Sequence, residues 1–460
     1  MDSCTHASVC HRLAETPEAS VCILHAADPA KDATTFQEAL AQHREVQGDD
    51  FSHVIFPAGV QFREAVFTRS ANFRDAHFLG DVSFAGATFE GEASFLGTRF
   101  HGGVNASNVT FQKRAAFSDA RFDADADFSG VHFGGPAHFA GASFGDWTSF
   151  VEAIFEGVAS LHQVRFQGPV TFYESVFEGD FQFAGGTAAS TVAFSRVRFD
   201  RRAIFSGTEF CGRLDLSQAT FGGETIFEGR GSAPSIFDGI AVNFRDASFG
   251  YYSIIFIRNA DLRQCQFLDT DLRGVEFTSV RWPRIKRGVC VYDELLSMQD
   301  AAAEMPWGQL ARLYRELKQN YEDRRNYLRS GDFHYREKEM QRCNPEMPWN
   351  HRALLWIYWG LSGYGERVLP PIGWLIGLIA GSAVLYILFG ASVAETSSSL
   401  GWSWASAWAA VYYSLRVALL QNPTDLVLQP MAQFVHTTQI ILSPILIGLL
   451  ALAIRQRVKR

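Results

Sequence analysis

From Phe62 to Phe227 the chain sets an aromatic residue at every eleventh position on two interleaved tracks. One runs Phe62, Phe73, Phe84, Phe95 and onward; the other runs Phe67, Phe78, Phe89, Phe100 and onward. A small residue stands two positions before each ring, as Ala65 before Phe67 and Ala71 before Phe73. On extended backbone, residues two apart point the same way, so ring and alanine face inward and the polar residues between them face water. Spacings of five and six would scatter the rings around a 3.6-residue helix, which excludes that reading. So short a period leaves each unit without a core of its own and predicts one rung of a solenoid. Two eleven-residue units give about twenty-two residues per coil. At roughly 4.8 Å per coil, about ten coils make a rod on the order of 50 Å long. Smaller apolar residues replace Phe at Ala106, Leu161, Ala188 and Leu216, and the pattern degrades into a bulging loop over Gly229 to Ser235. From Ala260 to Phe277 it tightens toward a five-residue spacing.

After Trp282 the period changes. Leu310, Leu313, Tyr314, Leu317 and Tyr321 form one helical stripe. Ser330-Gly331-Asp332 is expected to break the helix, with Asp332 capping a second one over Phe333 to Arg342. Two apolar runs follow, Ile372 to Phe389 and Phe434 to Ile454, each near the length needed to span a bilayer. Basic residues crowd the end, Arg455 to Arg460, and mark a cytoplasmic side. The start shows no export signal, so the N-terminal part is expected on that side too. Both ends on one face of the membrane require an even number of crossings. Trp404 to Leu420, apolar but carrying Arg416, is therefore expected to be re-entrant or interfacial. Four blocks result: a cap over residues 1–50, a solenoid over 51–280, a helical hairpin linker over 281–352, and a two-span membrane domain over 353–460.

Composition changes this picture little. The net charge is −8, and residues 51–280 hold eighteen Lys/Arg against twenty-six Asp/Glu, well mixed in sign. That is a solvated surface, and it argues against nucleic-acid binding by bulk electrostatics. Seven cysteines, an odd number, point to a reducing cytosol for the soluble part. Three of them fall near the start beside histidines. Cys4, Cys10, Cys22 and His25 make a set suited to a tetrahedral structural zinc, although the gap from Cys4 to Cys10 is wider than usual. The alternative is a frayed terminus with incidental thiols. A short helix, Thr34 to His43, is expected to close the open end of the first coil. No nucleophile–base pair, phosphate-cradling loop or open metal site stands out, so no enzymatic activity is expected.

The repeat resembles the pentapeptide-repeat family, whose unit is A-(D/N)-(L/F)-x-x. Ala71-Asn72-Phe73-Arg74-Asp75 and Ala260-Asp261-Leu262-Arg263-Gln264 fit it outright, and the resemblance covers roughly residues 51–280. It departs by one inserted residue in every second unit. The resemblance implies a right-handed quadrilateral parallel β-helix. Cys22-Ile23-Leu24-His25 is similar to Cys-rich openings found ahead of such coils, and Tyr314-Arg315-Glu316-Leu317-Lys318 followed by Gly331-Asp332-Phe333 to a stretch of family members with membrane segments. Tyr412-Tyr413-Ser414-Leu415 resembles the pore-helix string of two-helix pore-loop channels, and Gln421-Asn422-Pro423-Thr424-Asp425 falls where those channels carry Val-Gly-Tyr-Gly-Asp. Both glycines are missing here and Pro423 fixes the backbone, so potassium selectivity does not carry over. A polar loop with Asn422, Thr424 and Asp425 remains. In a symmetric assembly Asp425 forms a ring that favours cations, or else it is a solvated loop residue. Arg416 pairs with Asp425, lines the pore or snorkels to the interface. The expectation is a homo-oligomeric, non-potassium-selective ion channel of the inner (cytoplasmic) membrane, both termini cytoplasmic, with the solenoid as sensor or as a docking surface for a cytoplasmic protein. The alternatives are a non-conducting membrane-anchored scaffold and, more remotely, a DNA mimic that inhibits a topoisomerase.

Overall fold

The computed structural model describes residues 22–28, 31–231, 235–250, 253–285, 288–299, 305–389, 392–393, 403–421, 423–424 and 426–458. The chain divides into two compact units, Met1–Glu304 and Met305–Arg460. The boundary falls inside the stretch assigned above to a linker.

The first unit is a four-sided parallel solenoid of about ten turns. Among the described residues its four sheets contain eight, nine, nine and ten strands, nearly all two residues long. Each strand pairs with its counterpart one coil on, as Val66 with Thr88 and Thr88 with Thr110, a step of 110 − 88 = 22 residues. Most strands carry a buried residue beside a more exposed one, which is the alternation the sequence predicts. Rings in successive coils lie flat on each other: Phe73 on Phe95 at 4.9 Å and Phe95 on Phe117 at 4.8 Å, both within 1° of parallel. Within a coil they meet edge to face, as Phe117 and Phe128 do at 5.7 Å and 85°. Both geometries suit the ring quadrupole, and each buried Phe adds about 2 to 3 kcal/mol of hydrophobic stabilisation. Where an inward alanine becomes a hydroxyl residue, the hydroxyl donates to a neighbouring carbonyl, as Thr98 does to Phe73 at 2.6 Å.

The inserted residue has a structural reason. A positive φ recurs once in eleven residues, at Glu64, Asp75, Gly86, Gly97 and Asn108. Each lies in the five-residue step between rings, where a left-handed residue closes the tight corner. The six-residue step, such as Phe67 to Phe73, has no such residue and uses the extra one to turn. At four positions the ring gives way to Ala106, Leu161, Ala188 and Leu216, all buried. Beside Ala106 the core keeps a void of about 10 Å³. Between Leu214 and Val242 the step grows to 242 − 214 = 28 residues, six more than in the regular coils. It contracts to 275 − 255 = 20 at Ile255 and Val275, the undisturbed five-residue spacing.

Both ends of the solenoid are covered. Helix α1 (Ala33–Gln47) is capped by Asp32, which accepts from Thr35 N at 2.7 Å, and it buries Phe36 edge-on against Phe56 at 5.9 Å. At the other end Trp282 lies against Phe267 and Phe277, and α2 (Tyr292–Gln299) follows.

The second unit is helical. Helices α3 (Trp307–Asp323) and α4 (Tyr327–Cys343) form a hairpin that buries the whole stripe from Leu310 to Tyr321. The break lies at Arg324–Asn326, not at Ser330-Gly331-Asp332 as the sequence led us to expect. Arg325 takes φ 58° and Asn326 caps α4 by accepting from Arg329 N. Ser330 and Gly331 are buried within α4, where small side chains permit close packing. Helix α5 (Trp349–Ser362) ends at the left-handed Gly363. Then come α6 (Leu369–Leu388), α7 (Trp404–Ala418) and α8 (Pro430–Val458).

Candidate functional site

Helices α6, α7 and α8 pack around one cluster that includes Ala383, Tyr386, Ala410, Tyr413, Val417, Leu426 and Val435. A chain of polar side chains runs through it. The Tyr386 hydroxyl donates to Gln439 Oε1 at 3.0 Å, and Gln439 Nε2 donates to the Ser414 carbonyl at 2.7 Å and to its hydroxyl at 2.8 Å. Ser414 in turn donates to the carbonyl of Ile379 at 2.9 Å. Tyr386, Ser414 and Gln439 are fully buried, so each hydrogen bond here offsets a desolvation that would otherwise cost about 1 to 3 kcal/mol. Nearby, Tyr413 lies across Tyr386 edge to face at 5.2 Å, with its hydroxyl 3.4 Å from His436 Nδ1.

This network fixes how far α7 reaches. Ile379 lies nine residues before the end of α6, and Gln439 lies nine residues after the start of α8. At 1.5 Å per residue, Ser414 is held about 14 Å along both helices from that shared end. The chain then returns: Leu426–Val427 pairs antiparallel with Ser392–Val393, just beyond α6. Helix α7 therefore brings Ser414 to about the middle of α6 and a third of the way along α8, and the chain after it returns to their shared end. Leu420, with φ 61°, sits at the reversal, and Gln421 N donates to the Arg416 carbonyl.

Among the described residues two helices are long and apolar enough to cross a membrane, Leu369–Leu388 and Pro430–Arg455; α7 is fifteen residues long. Only 22% of each apolar window is buried within the protein. Ile376, Phe434 and Ile441 point outward.

Of the residues singled out in the polar loop, Thr424 is exposed, whereas Asn422 and Asp425 lie outside the described residues. Arg416 is half-buried, donates from Nε to Gln421 Oε1 at 3.0 Å and stacks over Tyr412. Of the N-terminal set, Cys4 and Cys10 also lie outside the described residues. Cys22 and His25 are brought together by one turn, Sγ 3.3 Å from Nδ1, and both are buried. Among the described residues no group of three or more metal-binding side chains forms. The Tyr386–Gln439–Ser414 chain was not foreseen as a unit. Its signal was present, in polar residues set inside apolar runs, but which of them meet depends on how deep α7 descends.

Among known families, the pentapeptide repeats (9 copies) match residues 51–99, 95–143 and 106–154. No curated protein and no solved structure matches the chain.

Proposed function

We propose that this chain, whose residues 51–154 match the pentapeptide repeats, is an oligomeric ion channel whose solenoid serves as a sensor or scaffold. The observation that carries this reading is the descent of α7 partway along α6 and α8, followed by the return of the chain to Leu426. A half-depth helix and a polar return segment can sit at membrane level only when buried in protein or beside a water-filled path. Hydrogen bonds from Ser414 and Gln439 supply the first condition, and a ring of copies would supply the second. Outward-facing side chains of α6 and α8 suit lipid. In such a ring Asn422, Thr424 and Asp425 would line the mouth, and Asp425 would favour cations.

Purified oligomers reconstituted in a planar bilayer are expected to give repeatable unitary currents, with cation preference reduced by Asp425→Asn. Silence from folded oligomers would overturn the channel and leave a membrane-anchored scaffold.

The N-terminal set is read as a structural zinc site in which Cys22 and His25 clamp the ion from one turn and Cys4 and Cys10 complete it. Metal analysis should find about one zinc per chain in the wild type and a clear loss in Cys22→Ser. Equal metal content would refute the assignment.

A further inference from the structure

Helix α5 wears its apolar side outward. Trp349 is 81% exposed, Leu354 62%, Ile357 60% and Trp356 50%. At 100° per residue these four, with Ala353 and Gly360, share one face of the helix. The opposite face is already occupied: Leu355 packs with Tyr335 and Tyr364, and Trp359 Nε1 donates to the Tyr335 hydroxyl at 3.1 Å. Arg342 of α4 lies under both tryptophans, 4.0 Å from the ring of Trp356 and 4.6 Å from that of Trp359. So the helix is clamped to the hairpin with its apolar face turned away from the protein. In water that face would be a contiguous hydrophobic patch of the kind soluble surfaces avoid.

Its position says what covers it. Only residues 363–368 separate α5 from α6, and Trp374, in the second turn of α6, donates to the carbonyl of Gly360 at 3.0 Å. That bond holds the end of α5 level with the start of an apolar helix long enough to span a bilayer. A membrane–water boundary at that level is where tryptophan is enriched. Fourteen residues, about 21 Å of helix, are too few to cross. Arg367, two residues before α6, places positive charge at that level, where phospholipid headgroups carry phosphate.

We infer that α5 lies in the plane of the bilayer interface, with Trp349, Leu354, Trp356 and Ile357 inserted among lipid headgroups and upper acyl chains. The inference rests on the reading of α6 and α8 as spans, but not on conduction. The hairpin thereby rides on the membrane surface through Arg342 and Tyr335 rather than hanging from a single chain connection.

The test places a photoreactive benzophenone side chain, in the full-length protein, at position 357, at position 351 on the opposite face, or at position 376 within α6. Each protein is reconstituted into vesicles of phosphatidylethanolamine and phosphatidylglycerol and irradiated. Lipid adducts at 357 several-fold above those at 351, and comparable to those at 376, are the expected result. Crosslinking of 357 mainly to another copy of the chain would overturn the inference, as would an absence of lipid adducts at 357 while 376 gives them. Absence at both 357 and 376 would overturn it together with the membrane reading itself.

Discussion

Asp293 is a carboxylate placed where few survive. It is buried at the start of α2, and its oxygens accept the N–H groups of Phe267 and Leu268 at 3.0 to 3.1 Å. Those bonds favour the ionised form, as does Arg245, yet burial outweighs them and pushes the carboxyl up to about 6. The unfolded chain titrates near 3.8, so between pH 4 and 6 the folded state holds the extra proton. The contribution of Asp293 to stability therefore falls as pH rises through this window, by on the order of 2 to 3 kcal/mol, and levels off above it. Denaturant unfolding from pH 4 to 7 checks this. Asp293→Asn, which still offers an oxygen to both N–H groups, should flatten the curve and match or exceed the wild type at pH 7. Nothing in the sequence announces this residue. It looks like an ordinary acidic residue in a helix's first turn, and only closure of the last coil around it removes its water.

At the level of elements, legibility tracked periodicity. The solenoid strands and the α3 stripe were plain because rings at fixed spacing leave one way to bury them. The hairpin turn was misplaced because Gly331 and Asp332 have the chemistry of a break, while Arg324–Asn326 has that of a helix surface. Packing between α3 and α4 decided the matter by burying Ser330 and Gly331. If Asn326 is the true cap, Asn326→Ala should lower the stability of the hairpin by about 1 kcal/mol and Asn326→Asp should preserve it. Thermal melts of the two variants in the same detergent measure the difference. The depth of α7 along its neighbours was not legible in the sequence, where parity of crossings led only to the expectation of a re-entrant or interfacial helix. What fixes it, three buried polar residues on three helices, becomes visible only when they are assembled.

For the molecule as a whole, stability of the first unit is a sum over coils and their neighbours, as in any array of stacked repeats. Length is then adjustable, but only in steps that keep every corner in phase. Removing residues 111–121, eleven in all, leaves the alternation of tight and wide corners intact, as does removing residues 111–132. Removing the five residues 112–116 deletes the wide corner between Phe111 and Phe117, joins the two tight corners at Asn108 and Asp119, and misaligns every later ring. Circular dichroism should show cooperative melting for the first two deletions and a collapsed or frayed protein for the third. The surviving pair would still differ in one respect. Because the left-handed corner returns every half coil, the rod behaves as a screw with two equivalent threads. Losing one thread shortens it by about 2.4 Å and turns everything beyond it by half a revolution about the axis. Rod length and the direction in which its far end faces are thus set in the same eleven-residue increments, so evolution can aim the molecule by insertion or deletion without redesigning its core.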